Sequence, residues 1–210
     1  MTEMTQANEA VTDRRLLRGA RSRQTIARHA VDVASLESLD GLSLGRLAHD
    51  LGLSKSGIQA LFGTKEKLQL ATIEAAGRAF DEAVVRPAIA QAAGLPRLRA
   101  LVERWIAYVD PPLFPGGCFW AANLPAFDSQ PGPIRDALAT QQRVWRGLLA
   151  DELRHAAAGG DIAPLDSVRA AFLIDAVLTA SNTALRLGDR DATETVRRFI
   201  DGLLAPADPP

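Results

Sequence analysis

The sequence predicts an all-α protein: a three-helix N-terminal unit followed by a larger helical domain, about nine helices in all. Three observations predict it. Aromatic residues make up only 5% of the 210 residues and β-branched runs are short, which disfavours sheet. Apolar residues, 47% of the chain, recur at three- and four-residue spacing through most of its length. Residues 42–68, LSLGRLAHDLGLSKSGIQALFGTKEKL, read as two short helices joined by a tight glycine turn and then the start of a third.

Residues 1–13 are polar and lack periodicity, and are expected to be a disordered tail. Arginines 14, 15, 18, 21 and 23 then form a basic lead-in to a first helix carrying Ile26, Ala30, Val33 and Leu36 on one face. That helix is expected to end near Leu39-Asp40-Gly41, and Leu42-Ser43 opens the next. Ala48 is small enough for a close helix crossing, and Gly52 can take the positive φ of a sharp turn. Ile58 locks the next helix onto its neighbour, with Leu47, Leu51, Leu53 and Leu61 filling the remaining inward positions. Ser54, Lys55, Ser56, Gln59 and Ala60 face outward. This is the helix-turn-helix arrangement, which places its second helix in the major groove of DNA. Two amphipathic helices joined at a glycine also occur in any helical bundle, so the residues just C-terminal to Leu61 carry weight.

Beyond the motif, Thr64 caps a long helix expected to reach about Val85, where Arg86-Pro87 bends or ends it. Residues 96–109 are helical again until Asp110-Pro111-Pro112. Phe114-Pro115-Gly116-Gly117 is a loop, Cys118 to Leu124 a short helix, and Pro131-Gly132-Pro133 precedes a long helix to about Ala158. After the Gly159–Pro164 turn, helices near 165–187 and 191–204 lead to a Pro-rich tail. The division expected is 14–63 for the helix-turn-helix domain and 64–205 for the helical remainder.

A net charge of −1 hides an uneven distribution. From Arg14 to Lys67 there are ten Arg/Lys against five Asp/Glu, a balance of +5. From Leu68 onward there are fourteen against seventeen, a balance of −3. The basic excess lies where phosphate contacts would be made, and phosphate neutralisation dominates DNA affinity. One cysteine excludes an internal disulfide. The chain has no run of ~18 apolar residues for a membrane span, and its first residues lack the apolar core of a signal peptide. A cytoplasmic protein without membrane partners is the expectation. His29, His49 and His155 are scattered, with no metal-ligand spacing, phosphate loop or nucleophile motif, so neither catalytic residues, metal nor cofactor is expected.

The motif runs on as Phe62-Gly63-Thr64-Lys65-Glu66-Lys67-Leu68. An aromatic, a short turn, a hydroxyl cap and then Lys-Glu-x-Leu opening a long helix resembles the TetR family of bacterial transcription regulators. Arg21-Ser22-Arg23 upstream agrees, and the matched stretch is roughly Arg21 to Leu70. Family members often carry tyrosine where this chain has Gln59 and histidine where it has Leu61. Gln59 can still donate hydrogen bonds, to adenine among other partners. The candidate DNA contacts are Arg21, Arg23, Ser43, Ser54, Lys55, Ser56, Gln59, Thr64 and Lys65.

The resemblance implies a homodimer that reads two half-sites of double-stranded DNA, with a small-molecule effector pocket in the middle of the chain. That region holds all three tryptophans and the one tyrosine. Arg104, Trp105, Tyr108, Phe114, Phe119, Asn123, Trp145 and Asp175 are the candidate ligand contacts; ordinary core packing is the competing reading for each aromatic. Cys118 lies among apolar neighbours and reads as a buried hydrophobe before a redox sensor. The dimer is expected to use Ile174, Leu178, Ser181 and Leu185 of the penultimate helix and Val196, Phe199 and Leu203 of the last, in a four-helix bundle. The function expected is a repressor released from a pseudo-palindromic operator by a small, largely apolar molecule. The alternatives are an effector-independent or protein-regulated DNA-binding dimer and, further off, a helical-bundle enzyme.

Overall fold

The computed structural model describes residues 2–205, with side chains from Gly19 onward. The side chains of Arg14, Arg15 and Arg18 and the last five residues of the Pro-rich tail lie outside that description. Among the described residues there are ten α-helices and no strand.

Helix α1, Thr2–Glu37, continues through the stretch read as a tail. That stretch contains no Gly or Pro, and its Met, Glu, Gln and Ala residues are good helix formers. Ile26, Ala27, Ala30, Val31 and Ala34 are buried on one face, whereas Leu36 is 55% exposed and does not continue that face. A short 3-10 turn, Leu39–Gly41, leads to α2, Leu44–Asp50, and α3, Lys55–Phe62. Ala48 and Ile58 are buried between them as expected.

The turn between α2 and α3 explains the one misplaced leucine of the motif. Gly52 has φ +62°. Its N–H donates to the His49 carbonyl, and the next N–H, of Leu53, reaches back to the Ala48 carbonyl at 2.8 Å. This pair of bonds is a Schellman termination, which requires a residue in the left-handed region at the glycine position. Leu53 is carried outside the helix and stays 47% exposed rather than filling an inward position.

Helix α4, Lys65–Phe80, runs from the head into the body and buries Leu68, Ile73, Ala75 and Ala76. Pro87 does not end it. The chain widens into one π-helical segment, Asp81–Val85, and continues as α5, Arg86–Ile89. A proline has no N–H to donate and its ring crowds the preceding turn, so the wider turn accommodates it without a break. The body is completed by α6 (Leu95–Val109), α7 (Phe119–Phe127), α8 (Pro133–Ala158), α9 (Ser167–Arg186) and α10 (Ala192–Leu203). Helices α8 and α9 lie along one another, with α10 against α9 and α6 against α8. Helix α9 has a mean hydropathy of 1.2 over 18 residues, near that of a membrane span. Its buried Ile174, Asp175 and Leu178 nevertheless form one layer of the helical body.

The head is tied to the body at the Ser38–Leu42 turn. The Leu39 N–H donates to Asn123 Oδ1 on α7 at 2.6 Å, and Gln69 Nε2 on α4 donates to the Leu39 carbonyl at 2.9 Å. Asn123 Nδ2 also donates to the Ala34 carbonyl of α1, at 3.2 Å. One turn of chain is thus gripped from both α4 and α7.

Candidate nucleic-acid interface and internal cavity

All nine side chains expected to meet DNA are exposed, but they hold different local positions. Three are helix caps. Ser43 Oγ accepts the Arg46 N–H at 3.1 Å, Ser54 Oγ the Gly57 N–H at 3.0 Å and Thr64 Oγ1 the Lys67 N–H at 3.1 Å. Each hydroxyl still has its own proton to donate. Ser56 Oγ lies 3.3 Å from Ser54 Oγ. Lys55 has no hydrogen-bond or ion-pair partner among the described residues.

Three more are held by backbone carbonyls, which spacing alone did not reveal. Arg23 Nη1 donates to the Leu61 carbonyl at 2.7 Å, with its guanidinium 4.7 Å from the Phe62 ring centre. The Gln59 amide donates to the Gly63 carbonyl. Both close the C-terminal end of α3, where carbonyls lack intrahelical partners and a cation is favoured. Lys65 Nζ donates to the Asp40 carbonyl at 2.7 Å, bracing the head's turn against the start of α4. Arg21 is exposed near the start of the described side chains. On the far side of α2, Asp50 receives His29 Nε2 and His49 Nδ1, both at 3.4 Å, and Arg46 Nε at 3.6 Å. The His29 hydrogen bond, foremost, holds the Asp50 carboxyl below its ordinary pKa.

The body contains a cavity of about 320 Å³, at the small end of the usual range for ligand sites. Its walls come from α4 and the π segment (Gly77, Phe80, Asp81, Val85), α6 (Trp105), Cys118, α7 (Trp120, Leu124), α8 (Thr140, Gln141, Gln142, Val144, Trp145, Leu148) and α9 (Asp175, Thr179). Phe80 organises the aromatic wall, edge-on to Tyr108, Trp120 and Trp145 with ring centres 5.1–5.3 Å apart.

Three of the eight expected ligand residues line this cavity: Trp105, Trp145 and Asp175. Five do not. Arg104 points to solvent from α6. Tyr108 is buried, its hydroxyl accepting the Phe119 N–H at 3.0 Å. Phe114 is fully buried, 4.8 Å beneath the Arg28 guanidinium, and Phe119 is fully buried too. Asn123 is fully buried and spends its amide on the head's turn and on the Phe119 carbonyl at 2.7 Å. Tyr108, Phe114 and Phe119 are thus packed within the core, and Asn123 serves the junction with the head. Phe80, outside the aromatic stretch 105–145, joins the same wall from α4. The four-residue step from Gln141 to Trp145 places both on one face of α8 and was the available signal for Gln141.

Cys118 borders the cavity, yet it is buried, and burial raises its thiol pKa above the ordinary value. It stays a protonated thiol at neutral pH, which favours the packing reading.

The expected dimer residues are held within the protomer to different degrees. Ile174, Leu178, Ser181 and Val196 are buried inside the chain's own core, and Leu185, Phe199 and Leu203 are partly buried against it. Helix α10 is further fastened to α6 by Arg197–Glu103 at 2.9 Å and Arg99–Asp201 at 2.6 Å. The small and apolar spacing was real, but each amphipathic helix turned that stripe inward. The exposed apolar side chains of α8 and α9 are instead Val144, Val168, Phe172 and Leu173, with Leu187 just beyond α9.

Similarity to known proteins decides the family. The model of the tetracyclin repressor-like C-terminal domain matches residues 94–200. The chain belongs to the TetR family. It is thus a DNA-binding transcriptional regulator that works as a homodimer. No curated protein matches the chain. Among solved structures, a TetR regulator from Chloroflexus aurantiacus superposes with a TM-score of 0.80 at 21% identity, covering 90% of this chain and 99% of that one. A TetR-family regulator from Cytophaga hutchinsonii gives 0.78 at 19%, over 91% and 98%. AibR, solved with isovaleryl coenzyme A and operator DNA, gives 0.73 at 19%, over 88% and 98%. At these identities the likeness speaks to the fold of this TetR-family chain.

Proposed function

We propose that this regulator is a cytoplasmic repressor, not an enzyme, that leaves a pseudo-palindromic operator when a small, largely apolar molecule occupies the cavity. Its head is residues 14–63 and its effector and dimer domain 64–205. One observation carries the coupling. On α7, Trp120 and Leu124 line the cavity, while Asn123 between them holds the Leu39 N–H of the head. A ligand that displaces α7 therefore displaces the turn that sets the pose of α2 and α3. Helix α4 offers a second route, since Gly77 and Phe80 line the cavity and Gln69 and Lys65 hold the same turn. The ligand acts by preferring the conformation in which the two recognition helices of the dimer are wrongly spaced for successive major grooves. AibR, with the same fold, is solved with a small molecule and operator DNA, which supports a ligand site and a DNA-reading head in one chain.

The face that meets the second copy is proposed to be the outward side of α9 around Val168 and Phe172, with Val144 of α8. DNA contact is assigned to Lys55 and Ser56 of α3, the hydroxyls of Ser43, Ser54 and Thr64, and Arg21. Arg23, Gln59 and Lys65 hold the head in shape and reach phosphates with the donors they have left. Filling the cavity tests the function. Leu124→Trp should abolish binding of the cavity ligand and with it any effect of that ligand on operator affinity. Ligand release of DNA surviving this substitution would place the effector elsewhere.

A further inference from the structure

Two polar atoms among the described residues are buried without any hydrogen-bond partner: Trp120 Nε1 and Gln141 Oε1. Both belong to residues that line the cavity. Leaving a buried donor or acceptor unpaired is costly, so native proteins rarely do so except where a ligand or water completes the set. The rest of the Gln141 amide is already committed. Its Nε2 donates to the Ile73 carbonyl of α4 at 3.3 Å. The amide can lie there because residue 77 is glycine: a Cβ at that position would stand 2.9 Å from Nε2. The orientation leaves the oxygen as the free end. The walls of the site therefore hold one unmatched donor and one unmatched acceptor, on two different helices, which a ligand reaches when these side chains turn toward it.

Charge narrows the ligand further. No lysine, arginine or histidine lines the cavity, and its two carboxylates are each already paired. Asp175 Oδ2 meets Arg146 Nε at 2.6 Å and Gln142 Nε2 at 3.3 Å, and Asp81 Oδ2 meets Arg86 Nε at 2.7 Å. A ligand anion would find no free cation, and a ligand cation would have to compete with an arginine for either carboxylate. Burying an unpaired charge is far more costly than burying a matched neutral polar group. A coenzyme A ester of the kind held by AibR, with its phosphates, does not suit these walls.

We infer that the effector is an uncharged aromatic or cyclic apolar molecule bearing both an acceptor, which takes the Trp120 indole N–H, and a donor, which binds Gln141 Oε1; a primary or secondary amide has this pattern. The inference rests on the cavity being the effector site. Trp120 and Gln141 are then specificity residues: the apolar wall sets affinity for the ring system, and the pair selects the polar group.

A matched series of naphthalenes tests this by calorimetry on the full-length protein. Naphthalene is apolar, 2-acetylnaphthalene adds an acceptor, 2-naphthamide adds acceptor and donor, and 2-naphthoate is the charged counterpart of the amide. The unaltered protein should bind the amide about tenfold or more tighter than naphthalene, bind the ketone in between, and bind the carboxylate no better than naphthalene. Trp120→Phe should weaken amide and ketone about tenfold more than it weakens naphthalene. Gln141→Met should weaken only the amide. Naphthalene binding with no gain from the polar groups would overturn the inference and leave the cavity reading standing, with an ordered water as the partner of both atoms. A preference for 2-naphthoate would overturn it as well. Failure of the whole series to bind would remove the cavity reading itself. The series on the unaltered protein decides the matter even where a substitution disturbs the fold.

Discussion

Asn123 shows how far the role of a single residue depends on where its helix turns. In the sequence it is a polar residue among aromatics, which suggests a ligand contact. In the fold it is fully buried and bonds to Ala34, Leu39 and Phe119, so it joins α1, the head's turn and α7. Asn123→Ala leaves the Leu39 N–H and the Ala34 carbonyl short of a partner and should cost about 1–3 kcal/mol of stability. Its more telling effect concerns coupling. The variant should bind a cavity ligand as before, while the ligand's effect on operator affinity, usually roughly 5–150-fold, falls to the part that α4 carries. Denaturation, calorimetry and operator titration on the one variant check this, and an undiminished ligand effect would remove Asn123 from the route.

Helix α3 carries the comparable lesson at the scale of an element. Its exposed face was legible because a short amphipathic helix with an N-cap at Ser54, a C-cap at Gly63 and a Schellman turn at Gly52 before it has one way to sit on α2. The division of labour along that face was not legible, because it depends on carbonyls at the helix end that no side-chain pattern reports. Lys55 is free to meet phosphate, so Lys55→Ala should weaken binding evenly across DNA sequences and lower the salt slope by ~1. The Gln59 amide is engaged with Gly63, so Gln59→Ala should destabilise the head and leave the preferred DNA sequence unchanged. Selection from random duplexes separates the two. A relaxed preference at one base pair per half-site for Gln59→Ala would show that its amide leaves Gly63 to read a base. The same limit explains the cavity: aromatic content drew attention to residues 105–145, but Phe80 enters from α4 through a fold-level approach of distant helices.

At the scale of the molecule, the fold class, the helix order and the head were all readable, since periodicity, caps and glycine turns are local signals. The inward and outward sides of α9 were not. A helix such as α9 has apolar residues on two sides, and only packing decides that Ile174 and Leu178 turn inward while Val168 and Phe172 face out. If the proposed face of α9 meets the second copy, Phe172→Asp should yield well-folded monomers in sedimentation, because it sets a carboxylate where the partner's apolar side chains would pack. Phe199→Asp should instead lower the melting temperature, because Phe199 packs on the protomer's own core. A stable dimer of Phe172→Asp would move the interface off α9.

One equilibrium governing both the cavity and the head is the central claim. It is tested most directly by measuring that equilibrium from both ends, with a cavity ligand identified by quenching of Trp105, Trp120 or Trp145 fluorescence. Operator affinity is titrated with and without saturating ligand, and ligand affinity with and without saturating operator. Each should weaken the other by the same factor, as linkage requires. Full operator affinity in the presence of a ligand bound in the cavity would contradict the claim.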